Sequence, residues 1–142
     1  MFTGEYNHTI DAKGRIIVPS KLREELGDSF FINRGLDGCL FVYPNSEFEI
    51  ITEKLNNIPG SRQNRKLERM FTGCARQCEI DKQGRVLIPQ ELRQFANLDK
   101  DVVFVGVNRK IEIWSKENWD AVNDFSDIDD LAESLAELGF KL

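Results

Sequence analysis

A single histidine, His8, and three cysteines, Cys39, Cys74 and Cys78, leave little material for metal or thiol chemistry in these 142 residues. A tight zinc site takes about four nitrogen or sulfur ligands. Three cysteines are too few, and oddly numbered, for a disulfide framework. They are expected to be small buried thiols, with no metal and no cofactor. Long apolar runs are also missing: none approaches the roughly 20 residues that a bilayer span requires. The opening "MFTGEYNHTID" has neither the basic stretch nor the apolar stretch of a secretory leader. The expectation is a cytoplasmic chain with no membrane partner.

An excess of positive charge is lacking too. The formal net charge is −5, which argues against a generic polyanion binder. The distribution is uneven. Residues 1–60 carry 6 basic and 9 acidic groups, residues 61–94 carry 8 and 4, and residues 95–142 carry 5 and 11. The middle is basic and the end acidic, so a local phosphate site remains open to this chain.

What the sequence does have is the same sentence twice. "IDAKGRIIVP" at 10–19 returns as "IDKQGRVLIP" at 80–89. At an offset of 70, Asp11 matches Asp81, Gly14 matches Gly84, Arg15 matches Arg85, Pro19 matches Pro89, Leu22 matches Leu92 and Arg23 matches Arg93. At an offset of 71, "LFVYPNSEF" resumes the match with "IEIWSKENW". A unit of about 50 residues is too small to bury a stable core alone, so the halves are expected to pack on each other or on another chain.

Local signals agree between the units. "EYNHTI" and "ARQCEI" read as strands. "DAKG" and "DKQG" are turn sequences, and "RIIV" and "RVLI" are short β-branched runs, so each unit is expected to open with a hairpin. The consecutive apolar residues suggest burial on both faces. "SKLREELG" and "QELRQFAN" predict short helices, the first capped by Ser20 and stopped by Gly27. "FFIN" with "CLFVY", and "VVFVGV" with "IEIW", predict a second strand pair in each unit. "NSEFEIITEKLNNI" and "SKENWDAVNDF" close the units as helices, capped by Ser46 and Ser115. In "PGSRQNRKLERMF", Arg62, Arg65, Lys66 and Arg69 share one helical face and are expected to meet acidic protein surface. In "DIDDLAESLAELGF", Ile128, Leu131, Leu135 and Leu138 form the apolar side of a terminal helix whose polar side is acidic. That helix is expected to dock near the basic stripe, on its own subunit or the next.

The D-x-x-G-R turn has two readings. Asp and Arg four apart can form an ion pair that only fixes the turn, contributing about 0–1 kcal/mol if exposed. Alternatively, two such turns present a symmetric pair of basic projections. A two-stranded β-ribbon fits the DNA major groove. Arginine's fork suits phosphate and the guanine edge, and the carboxylate behind it would hold the fork in one orientation. The candidate DNA-binding residues are Arg15 and Arg85, with Lys13 and Lys82 in the same turns. Asp11 and Asp81 are the candidate orienting residues.

"MFTGEYNHTIDAKGRIIVPSKLR" and "DKQGRVLIPQELRQFANL" closely resemble the MraZ family of bacterial transcription regulators, from Met1 to about Trp119. The paired motifs Asp11–Arg15 and Asp81–Arg85 are the family's hallmark. The resemblance implies an α+β fold of two tandem hairpin–helix repeats. It implies that they interlock as an AbrB-like swapped-hairpin, double-ψ-type small barrel with flanking helices. On the residues themselves, and not from the resemblance, the repeats are expected to span 5–57 and 73–125, with a basic linker helix at 58–72 and an acidic C-terminal helix at 126–142. The resemblance further implies nucleoid-associated binding of double-stranded DNA at short direct repeats in the promoter of its own operon, as a ring homo-oligomer.

Two other classes compete. In an enzyme, Asp11 and Asp81 would act as an acid–base pair, but an arginine four residues from each should keep it ionised. With one histidine and no phosphate loop, no enzyme is expected. A protein-interaction module of the same fold, with no DNA partner, is the stronger rival.

Overall fold

A computed structural model describes residues 1–142. The first repeat builds strands β1 (Glu5–Thr9) and β2 (Arg15–Ile17), helix α1 (Ser20–Leu26), strands β3 (Ser29–Arg34) and β4 (Leu40–Pro44), and helix α2 (Asn45–Asn56). Helix α3 (Arg62–Cys74) connects it to the second repeat. That repeat runs β5 (Arg76–Glu79), β6 (Arg85–Leu87), α4 (Gln90–Phe95), β7 (Asp101–Val107), β8 (Lys110–Ser115) and α5 (Lys116–Val122). Helix α6 (Ile128–Glu137) ends the chain. No helix is long and apolar enough to cross a membrane.

The strands form an antiparallel six-stranded sheet in the order β1-β7-β8-β4-β3-β5, and a separate two-stranded ribbon of β2 and β6. Exchanging the two repeats reverses the sheet order and leaves it otherwise unchanged, so the chain has an internal pseudo-twofold. Each repeat sends its first strand to the other: Glu5 pairs with Val105 and Thr9 with Asp101, while Ser29 pairs with Glu79. β2 pairs with β6, Ile16 opposite Val86 at the centre.

These pairings correct two expectations. The opening strands do not form hairpins, because β1 and β2 leave their shared turn for different partners. Nor does the sheet close into a barrel: β1 and β5 stand at its two edges.

One core serves both repeats. Ile16, Val18, Leu22, Phe30, Ile32, Leu40 and Val42 from the first pack with Val86, Ile88, Leu92, Val102, Phe104, Ile111 and Ile113 from the second. Neither half could bury its own share, as a repeat of this size requires. Cys39 and Cys78 are buried free thiols and Cys74 is half-buried. Burial pushes the thiols of Cys39 and Cys78 up to about 12 and about 11, so neither is a nucleophile at neutral pH.

The N-cap readings change in part. α1 and α2 begin directly after Pro19 and Pro44, with no side-chain cap from Ser20 or Ser46. Ser115 does cap α5, its hydroxyl accepting from the Asn118 N–H at 3.1 Å. Gly27 ends α1 at φ 84°, a conformation that glycine adopts without strain. α6 forms with the expected apolar face, but no residue of it is buried, so it does not dock on its own chain. Arg62, Arg65, Lys66 and Arg69 are exposed on α3, and no carboxylate of the chain pairs with them.

Candidate nucleic-acid interface

The two D-x-x-G-R turns are built alike. In the first, the Asp11 N–H donates to the Arg15 carbonyl at 2.9 Å and the Gly14 N–H to the Asp11 carbonyl at 3.0 Å. The second repeats this with Asp81, Arg85 and Gly84 at 2.8 and 3.0 Å. Gly14 and Gly84 take φ of 88° and 80°, the region glycine alone enters without strain.

Each carboxylate gathers its turn. Asp11 Oδ1 accepts the backbone N–H groups of Lys13 and Arg15, both at 2.9 Å, and Oδ2 accepts Arg15 Nε at 2.8 Å. Asp81 does the same with Gln83, Arg85 and Arg85 Nε, all at 2.9 Å. The arginine's own backbone N–H, then its guanidinium, and then the second backbone donor hold both carboxyls below the usual carboxylate range. A general acid at neutral pH needs the opposite shift.

On Arg15 the aspartate takes Nε, and the two terminal nitrogens have no protein acceptor. On Arg85 one of them reaches Gln83 Oε1 at 3.0 Å.

The ribbon brings the two arginines together. Side chains alternate across a strand. Ile16 and Val86 are 1% exposed and face the core, so Arg15, Ile17, Arg85 and Leu87 face outward. The register sets Arg15 opposite Leu87 and Ile17 opposite Arg85. Arg15 and Arg85 are therefore diagonal neighbours, about 7–8 Å apart by ribbon geometry. Between them Ile17 and Leu87 are 43% and 56% exposed, so the strand is not buried on both faces as expected. Lys13 and Lys82 are exposed on the two turns, at positions that do not correspond: Lys82 aligns with Ala12, and Lys13 with Gln83.

The turns also interlock. The Val18 N–H donates to the Gly84 carbonyl and the Ile88 N–H to the Gly14 carbonyl, both at 3.0 Å. Beneath each turn lies an arginine from the opposite repeat. The Arg93 guanidinium fills the space that a β-carbon on Gly14 would need, and that of Arg23 packs 2.5 Å from the same point on Gly84. Arg23 Nε donates to the Val18 carbonyl at 2.7 Å. The sequence reading matched Arg23 with Arg93 but gave them no role. Together the two turns and their supports carry six cations, Lys13, Arg15, Arg23, Lys82, Arg85 and Arg93, against two carboxylates.

A twice-repeated α+β unit whose paired Asp–Arg turns meet on one ribbon defines the class. The family model described as "MraZ protein, putative antitoxin-like" matches residues 1–72 and again 70–137. The chain belongs to the MraZ family. It is 59% identical over 139 residues to a protein of Lachnoclostridium phytofermentans, covering 98% of each chain. It is 51% identical over 141 residues to one of Clostridium tetani, covering 98% of this chain and 99% of the relative. It is 50% identical over 141 residues to one of Clostridium acetobutylicum, with the same coverage. All three are named Transcriptional regulator MraZ, a regulator's name and not an enzyme's.

Proposed function

We propose that this protein is a sequence-specific DNA-binding transcriptional regulator of the division and cell-wall gene cluster. It binds short direct repeats in the promoter of its own operon, in the cytoplasm at the nucleoid, as a ring of several subunits. The names of its relatives support the regulatory part. The exchange of β1 and β5 between the repeats supports an AbrB-like swapped-hairpin reading, with repeats at 5–57 and 73–125.

The observation that carries DNA binding is the arginine pair. Arg15 and Arg85 sit on the outer face of one narrow ribbon, each clamped through Nε by its aspartate. That clamp leaves both terminal nitrogens of Arg15, and the one on Arg85 that Gln83 does not hold, without a protein acceptor, so they can meet a guanine edge or a phosphate. Lys13 and Lys82 add phosphate contacts. A major groove about 12 Å wide admits a two-stranded ribbon.

One observation favours a second reading, a protein-interaction module. Ile17 and Leu87 form an exposed apolar pair at the centre of the same face. In the DNA reading that pair meets thymine methyl groups, the apolar feature of the major groove.

The test is a gel shift on the upstream region of the protein's own operon, with Arg15 and Arg85 intact or replaced by alanine. Losing one bidentate base contact costs about 1–3 kcal/mol, or roughly 5- to 150-fold in affinity. Unchanged binding by the arginine variants would overturn the assignment.

A further inference from the structure

Helix α6 has an apolar face and nothing in its own chain to cover it. Ile128, Leu131, Leu135 and Leu138 are 47, 50, 42 and 75% exposed. Phe125 before the helix and Phe140 after it are just as bare. Yet the helix is well specified locally. Asp129 and Asp130 lie in its first turn, where the helix dipole favours negative charge. Gly139, at φ 92°, ends it. The Gly139 N–H donates to the Ala136 carbonyl and the Phe140 N–H to the Leu135 carbonyl, both at 3.0 Å, the Schellman pattern. A helix of 10 residues is marginal alone in water, so this one requires a surface.

Charge selects that surface. Beyond Phe125 the chain carries Asp127, Asp129, Asp130, Glu133 and Glu137 against one cation, Lys141. Pairing α6 with another α6 would set these carboxylates against a second such set. A groove of about 380 Å³ between α2 and the β7–β8 turn offers the complement. Ile50 and Ile51 line it, Ile50 being 44% exposed. Lys54, Arg109 and Lys110 stand around it. Its one acid, Glu47, is already paired with Arg109 Nη1 at 3.2 Å.

We infer that α6 of one copy docks in this groove of a second copy. Its leucine stripe covers Ile50 and Ile51, and its carboxylates face Lys54 and Lys110. The donated element and the receiving groove differ, so the contact is heterologous. Every copy then has one of each to offer, and such contacts build a ring when the rotation between copies closes. The inference rests on the self-assembly proposed above and names the surfaces that make it.

Two full-length variants test it in sedimentation equilibrium. Leu131→Asp with Leu135→Asp blocks the helix; Ile50→Asp with Lys110→Glu blocks the groove. Each alone is expected to sediment as a single chain of 16.4 kDa. Mixed in equal amounts, they should form a species of twice that mass, because one keeps its groove and the other its helix. That rescue also guards against misfolding, since an unfolded variant could not restore a partner. If the unaltered protein assembles and the helix variant assembles equally well, only this contact is wrong. A mixture that stays at single-chain mass overturns it too. If the unaltered protein is a single chain at every concentration, the ring reading falls with it. A helix variant that binds DNA more tightly with its mass unchanged would place α6 on the ribbon face and sink the proposal.

Discussion

The guanidinium of Arg93, from the second repeat, occupies the space where a side chain on Gly14, in the first, would begin. Gly14 is thus held to glycine by its φ of 88°, and a side chain there would also have to displace the end of Arg93. Gly14→Ala is expected to cost about 1–3 kcal/mol, lowering Tm by about 2–4 °C per kcal/mol for a chain of this size. The cost should be smaller in an Arg93→Ala background, because the overlap is gone while the backbone strain remains. Equal costs in both backgrounds, by calorimetry, would mean that the arginine does not sit there.

Asp11→Asn separates the turn from the orientation of its arginine. Asparagine Oδ1 can still accept from the Lys13 and Arg15 N–H groups, so melting and circular dichroism should change little. Its amide nitrogen cannot accept from Arg15 Nε. DNA affinity should therefore fall, and adding Arg15→Ala should cost less than it does with Asp11 intact. Full additivity of the two losses would show that Asp11 does not act through Arg15. The pH dependence follows from the same contacts. The carboxyl is held below its ordinary 3.8, so its contribution is complete above that value and lost only as pH falls through the lowered one. DNA binding should be insensitive to this group throughout the neutral range.

His8 reports on Arg23. Burial, and then the charge of Arg23, draw the imidazole below its ordinary 6.5. The unfolded chain therefore takes up this proton first as pH falls. Stability rises with pH between the lowered value and 6.5, and the contribution is complete above it. Arg23→Gln should move the His8 titration up toward 6.5, followed by its ring proton resonances. A midpoint that does not move would separate the two residues.

Operator length should matter steeply. One subunit offers a single small ribbon, and the net charge of −5 opposes approach to DNA. Linking several such faces raises avidity by about 10²–10⁴ without new contacts. Direct repeats about 34 Å apart keep them on one side of the duplex. Cutting the operator to one repeat should lower affinity by a large part of that factor in a titrated gel shift. A lone repeat bound as tightly as the full array would refute the multivalent reading.

Asn33 is fully buried, its Nδ2 donating to the Phe71 carbonyl at 2.7 Å and its Oδ1 accepting the Arg34 N–H at 2.9 Å. It joins the end of α3 to β3. Asn33→Ala should cost about 1–3 kcal/mol by stranding the Phe71 carbonyl, read by urea titration.

Much of this was legible in the chain, and what was not has physical reasons. The turn residues and the alternating runs marked the strands, and the repeat marked the two turns as equivalent. Strand partners were another matter. A D-x-x-G-R turn looks the same whether its flanking strands pair with each other or part, so β1 meeting β7 had no local sign. "RIIV" is equally apolar at 16, 17 and 18, and only the ribbon's position leaves Ile17 outside. Ser20 and Ser46 looked like caps, but Pro19 and Pro44 hold the backbone extended up to the first helical turn, leaving no capping hydroxyl. Arg23 and Arg93 were visible as the other charged pair kept by the repeat; their place under the opposite turn needed three dimensions.

The exchange of first strands sets a timetable for synthesis. Glu5 pairs with Val105, so β1 leaves the ribosome about 100 residues ahead of its partner. At about 5–20 residues per second, that is a wait of roughly 5–20 s. During it the N-terminal half has neither its edge strand in place nor the other half's share of the core. A ribosome that stalls midway releases a fragment bearing one arginine turn and no ribbon. Only a finished chain can present the pair.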